Sequence, residues 1–150
     1  MRTFNGPDDV AAAVGEHLGH TEWQTITQEQ VNLFADATDD HQWIHVDAER
    51  AATGPFGSTI AHGFLTLALI PSLGGKLFQL EGITMGINYG TNKVRFPQPV
   101  PVGARIRAGV EVLEATPGRQ GMQVVWKYVI EIEGLDKPAC VAETVTVLVA

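Results

Sequence analysis

Residues 34–66 collect most of the side chains in this chain that could move protons: Asp40, His41, His45 and His62, with Gly63 directly after the last. A carboxylate and an imidazole held side by side can share one water molecule, taking a proton from it and supplying another on the same face of a bound substrate. Asp40 and His45 have the composition for that work. They stand five residues apart, and a continuous helix, turning about 100° per residue, would point them in well-separated directions. Joint action therefore requires a turn over 40–45, with Trp43 and Ile44 as the residues to pin it to the core. Gly63 opens an apolar segment. An unpaired N–H at a helix start stabilises developing negative charge on a nearby oxygen, and the missing side chain allows close approach. His62 either orients the Gly63 turn or touches substrate, and the structural role is the commoner of the two.

Taken singly, these residues have plainer roles. Asp40 alone reads as a cap for the turn after a helix, and His45 alone as a partly buried histidine with its hydrogen bonds satisfied. The pair in its helix context reverses that preference. On one helix, His41 and His45 would share a face and, with Asp40, could hold zinc. The glutamate that hydrolytic zinc helices carry between their histidines is absent from His41-Gln42-Trp43-Ile44-His45, so no metal is assigned. Cys140 lies in an alternating apolar strand and reads as a small buried residue. The chain has no glycine-rich phosphate loop and no serine nucleophile elbow.

The elements that must position these groups follow from periodicity. Early acids and good helix formers over 8–14, bracketed by Gly15, predict a short helix, and residues 23–26 a brief strand. Thr27 and Gln30 form a capping box for a helix that buries Val31, Phe34 and Ala35 and ends near Thr38 and Asp39. Asp47 caps a short helix through Glu49, Arg50 and Ala52, and residues 54–57 form a loop. From Ile60 to Leu73 the chain is apolar almost all round, which predicts a helix over about 61–74 that the rest of the protein surrounds. Pro71 removes one of its hydrogen bonds and Gly74-Gly75 ends it.

Beyond this point the period becomes two. Residues 83–89 and 93–96 read as strands, and the proline-rich stretch 97–101 as an extended connector. Ile106, Ala108, Val110 and Val112 alternate with polar residues, as do Val124, Trp126, Tyr128, Ile130 and Ile132, and residues 139–149 form the last strand. Turns at 116–121 and 134–138 make these an antiparallel meander. A long curved antiparallel sheet and one apolar helix bury each other most simply when the sheet wraps the helix, an α+β arrangement in a single domain spanning 1–150.

Composition limits the partners. A net charge of −7 without a basic cluster argues against nucleic acid or an anionic membrane surface. The longest strongly apolar segment, 64–70, falls far short of the roughly 20 residues a membrane span needs. The single cysteine excludes an internal disulfide, and the first residues carry no apolar run behind a basic one, so the cytoplasm is the expected compartment.

Three blocks carry a family resemblance over nearly the whole chain: Phe34-Ala35 with Asp40, His45 and Ala51; Ile60-Ala61-His62-Gly63-Phe64; and Val94-Arg95-Phe96 with Pro99, Val100 and Gly103. In these the chain resembles the MaoC-like dehydratases, the family of (R)-specific enoyl-CoA hydratases, whose fold is the hot dog. It departs from the family pattern before and after the aspartate, where Asp39 replaces glycine and Gln42-Trp43 replaces Asn-Pro. The resemblance implies (R)-specific hydration of a trans-2-enoyl thioester, or the reverse dehydration, on CoA or acyl-carrier protein. Asp40 and His45 would act on the water, the Gly63 amide on the thioester oxygen, and no cofactor is needed. His62 and Gln42 become candidate substrate contacts, and Lys93 and Arg95 candidate cations for an anionic carrier. A homodimer is implied as well, since a long edge strand gains from pairing with a twin. Two other readings share these residues: a hot-dog thioesterase, and a silent acyl-thioester-binding subunit of a larger dehydratase.

Overall fold

The computed structural model describes residues 1–150. In chain order the elements are β1 (Arg2–Asn5), α1 (Pro7–Ala12), β2 (His17–His20), β3 (Gln24–Thr25), α2 (Gln28–Thr38), α3 (Trp43–Val46), α4 (Ala48–Ala52), α5 (Gly63–Ala68), α6 (Ile70–Gly74), β4 (Phe78–Glu81), β5 (Met85–Arg95), β6 (Arg105–Pro117), β7 (Met122–Ile132) and β8 (Cys140–Val149). The main sheet runs β2-β6-β7-β8-β5, with β3 also on β6, and every pairing in it is antiparallel.

The alternation in β6 and β7 sets the core. Ile106, Ala108, Val110 and Val112 on β6 are fully buried, and so are Val124 and Ile130 on β7. They face Leu65, Ile70 and Leu73 of the two central helices in one continuous apolar cluster. The sheet wraps these helices, which is the hot-dog arrangement. No helix is long and apolar enough to cross a membrane.

The structure departs from expectation in four places. The central helix is two short ones meeting at Leu69, because Pro71 at the start of α6 has no N–H to continue the ladder. It is also not surrounded: Phe64 is 70% exposed, since a single sheet covers only one flank of it. The strands expected at 83–89 and 93–96 are one strand, β5, whose register with β8 shifts near Gly90 and Thr91. Finally, β1 and β4 form a separate parallel pair. Their Phe4 and Phe78 close one end of the core on Trp126, with the Phe78 and Trp126 rings stacked at 4.5 Å.

The end of α2 aims the chain into the site. Thr27 Oγ1 accepts the Gln30 N–H as its N-cap, and Val31 and Ala35 are buried. Asp39 terminates the helix in the left-handed conformation, φ 58°, with its N–H on Ala35 O. The family pattern has glycine here because the position needs positive φ; aspartate tolerates that conformation better than most residues but not freely. Asp39→Gly is therefore expected to raise stability by about 1 kcal/mol, read as a higher midpoint in urea unfolding. An unchanged or lower midpoint would mean that the Asp39 backbone carries no strain.

Candidate active site

Asp40 follows the left-handed turn, and its N–H also reaches Ala35 O. Gln42 is extended, α3 begins at Trp43, and the His45 N–H returns to Gln42 O. The residues between Asp40 and His45 are thus a turn joined to a single helical turn, which brings the two side chains together as joint action requires. Trp43 is only half-buried and lies under the Arg50 guanidinium, 4.2 Å from the ring centroid. It braces α3 against α4 rather than pinning the turn to the core.

His45 is 7% exposed. Its Nδ1–H donates to Ile60 O at 2.7 Å, and the Ile60 N–H donates to Ile44 O. With Nδ1 holding the proton, Nε2 carries a free lone pair. Burial lowers the His45 pKa below 6.5, and nearby His62 pushes the same way, against the Ile60 hydrogen bond and Asp40. The ring is therefore neutral near pH 7. Asp40, half-exposed, has no close cationic partner: Oδ1 lies 3.5 Å from the Gln42 N–H and Oδ2 4.0 Å from His62 Nε2.

A carboxylate oxygen of Asp40 and one ring nitrogen each from His45 and His62 lie within 4.8 Å of one another. A water accepted by two such groups at hydrogen-bond distance spans a gap of about 4.6 Å, so Asp40 and His45 can hold one water between them. These three groups also have the composition of a metal site. The His45 and His62 rings, however, stack face to face at 3.8 Å and 23°, which sets their in-plane lone pairs side by side instead of converging on one ion. The helix-borne His41–His45 zinc pair does not form. His41 precedes α3 and turns outward to Asp36 and Asp39, whose hydrogen bonds and charge raise its pKa.

His62 is 2% exposed, more deeply buried than His45. Its carbonyl accepts the N–H groups of both Leu65 and Thr66, and the Gly63 amide, first in α5, has no acceptor within the chain because first-turn helix amides have no preceding carbonyl to bond. A Cβ on Gly63 would lie 3.1 Å from the Phe96 ring, which shows how closely β5's end approaches. Lys93 and Arg95 sit exposed on that same end of β5, and Arg95 donates only to Val94 O. The side chain of Gln42 is exposed as well, and its carbonyl accepts the His45 N–H.

A groove of about 740 Å³ starts at Phe64 and runs between the central helices and the sheet, lined by Leu67, Ile70, Trp126, Tyr128 and Leu148 among others. Asp40 and His45 lie outside its walls. A smaller cleft of about 300 Å³ around Trp23, Arg107 and Pro138 contains none of the site residues. Cys140 is a fully buried thiol whose pKa burial pushes up to about 11, so it is no nucleophile.

Sequence reasoning missed Gln28 and Thr59. The Gln28 side chain donates to His45 O at 2.8 Å and accepts from Thr59 Oγ1 at 2.6 Å, tying α2, α3 and the segment before α5 together. Nothing local marks them, because the contact joins positions 31 residues apart.

A hot-dog domain that carries a carboxylate and a neutral imidazole beside an unpaired helix amide is the class that fold and site define. Residues 9–134 match the MaoC like domain, and the chain belongs to that family. It is 58% identical over 155 residues to 3-hydroxyacyl-thioester dehydratase Z of Mycobacterium tuberculosis (strain ATCC 25618 / H37Rv), covering 100% of both chains. Among solved structures it is similar to the R-hydratase PhaJ1 from Pseudomonas aeruginosa, with TM-score 0.73, 27% identity and coverage of 91% of this chain and 81% of that one. The (R)-hydratase from A. caviae involved in PHA biosynthesis gives TM-score 0.72, 28% identity and coverage of 90% and 96%.

The lowered His45 pKa makes a statement about stability. The unfolded chain takes up a proton near 6.5 that the folded chain refuses, so stability is full above that pH and declines as pH falls through it. Urea unfolding should therefore show a larger loss between about pH 7 and 5.5 in the wild type than in His45→Gln. Equal losses would contradict the neutral, desolvated ring.

Proposed function

We propose that this protein is a hydro-lyase that interconverts (R)-3-hydroxyacyl thioesters and trans-2-enoyl thioesters, the thioester being carried by CoA or acyl-carrier protein. The observation that carries this reading is the meeting of the Asp40 carboxylate and the neutral His45 ring within 4.8 Å, beside the unpaired Gly63 amide. The names of the M. tuberculosis relative and of the two hydratases support the substrate class.

In hydration, water held by Asp40 and His45 loses a proton to the pair as its oxygen bonds to the β-carbon. The π electrons move toward the thioester, and the enolate oxygen is stabilised by the Gly63 N–H. The proton then passes to the α-carbon, and the pair returns to its starting state. His45 Nε2 is the better acceptor for that proton, since Nδ1–H is already committed to Ile60 O. Dehydration runs the same steps backward. Because one pair handles both ends of the same water, hydrogen and hydroxyl add to one face. The groove that opens at Phe64 suits an apolar acyl chain.

A second copy of this chain completes the molecule in our reading, and the whole of 1–150 acts as one domain in the cytoplasm. The edge strand β5 carries exposed Met85, Ile87 and Tyr89, and Phe64 and Phe96 are exposed as well. An apolar row on an unpaired strand edge favours pairing with its twin. Lys93 and Arg95 would then stand at the rim, where an anionic carrier arrives.

With crotonyl-CoA as substrate, loss of the enoyl absorbance without thiol release is expected. Asp40→Asn and His45→Ala should each lower turnover by about 10²–10⁴-fold. Thiol release would instead identify a thioesterase, and silence with both short and longer enoyl chains a binding subunit. Sedimentation of the same sample should give twice the chain mass; a monomer would overturn the dimer.

A further inference from the structure

His62 takes no part in the proton transfers above, yet it stacks on His45, bonds to the main chain of Asp40 and lies 4.0 Å from the Asp40 carboxylate. Its Nε2 lies 3.0 Å from the Asp40 carbonyl, so Nε2–H is the donor and Nδ1 holds the lone pair. That Nδ1 is buried with no protein donor in reach. The ring is held between Phe34, at 4.9 Å, and His45, at 3.8 Å. As N-cap of α5 its side chain makes no cap bond, while its carbonyl accepts the Leu65 and Thr66 amides.

We propose that His62 is a positioning residue: its Nε2–H holds the main chain of Asp40, and its ring face holds the plane of the His45 imidazole. It does so without touching substrate. The inference rests on the hydro-lyase reading for its kinetic consequence and on geometry alone for its structural one. A purely packing role argues against a histidine here, because a buried nitrogen without a partner is a cost that leucine or phenylalanine would avoid. The donor to Asp40 explains why an imidazole stands there. Placement matters at this level, since a shift of about 1 Å in a reacting group can cost 10²-fold in rate.

Two substitutions separate the contributions. His62→Gln places an amide nitrogen near the position of Nε2, keeping the donor and removing the ring. His62→Phe keeps the ring and removes the donor. The groups facing His45 are Asp40 from the turn, His62 from the start of α5 and the neutral Gln28 from α2, while His41, Asp36 and Asp39 pair with one another outside. The measurements are kcat and KM for crotonyl-CoA against pH, and the titration of the His45 ring by NMR in the substrate-free protein.

Both variants are expected to lose about tenfold or more in kcat with KM within about threefold of wild type. In His62→Gln the His45 titration and the acid limb of the rate profile should move up toward the free-imidazole value, because water reaches the uncovered ring face. In His62→Phe the ring face stays covered and only the electrostatic push from His62 is lost, so they should move up less than in His62→Gln while kcat falls. Wild-type kcat in both variants with an unmoved His45 titration would overturn the proposal, as would rate losses that only match the unfolded fraction seen by circular dichroism. Should the wild type itself fail to turn over, the hydro-lyase reading falls, and the His45 titration still decides the positioning role.

Discussion

The hydrogen bond from His45 Nδ1–H to Ile60 O, 2.7 Å long and buried, is the contact on which the site depends. It joins the turn after α2 to the strand-like segment that leads into α5, so two stretches of chain that meet only through the fold are fixed at one point. It also sets the tautomer, leaving Nε2 as the lone-pair nitrogen. The Gln28 bridge to His45 O and Thr59 reinforces the same junction from α2. Without these contacts the stretch that carries Asp40 and His45 would be less firmly fixed to the one that carries Gly63.

That junction is built on a scaffold with little freedom. The β6–β7–β8 meander buries one face of each strand, and the helices that cross it can present only one flank to the sheet. Their start therefore falls at the sheet's edge, against Phe96 at the end of β5. There a helix amide can stay unpaired at modest cost, because it remains open to solvent or ligand. The same half-covered geometry exposes Phe64 and the apolar edge of β5, so the site and the proposed dimer surface share one origin.

Much of this was legible in the residues. Period-two alternation located β6, β7 and β8, the Thr27 cap and the polar run at 38–39 bounded α2, and the spacing of Asp40 and His45 demanded a turn that the structure contains. The illegible parts are those set by distant contacts. The short strands β1, β2 and β4 lack the length for a periodic signal, and their pairing partners lie far along the chain. The apolar helix looked fully enclosed because sequence periodicity describes a face without saying which chain covers it. His62 offered no sign that it would be more buried than His45, since that follows from stacking between residues 17 positions apart. The departure at Asp39 is clearer in structure, where the residue adopts the left-handed conformation that the glycine of the family pattern would supply.

The central claim is that Asp40 and His45 act on one water from one face of the substrate. Hydration of crotonyl-CoA in D₂O tests it most directly, with the relative configuration of the product's α-carbon deuterium and β-hydroxyl read by NMR. The account predicts a single α-deuterium on the same face as the hydroxyl. Deuterium on the opposite face, or an equal mixture of both, would contradict a shared water between these two residues.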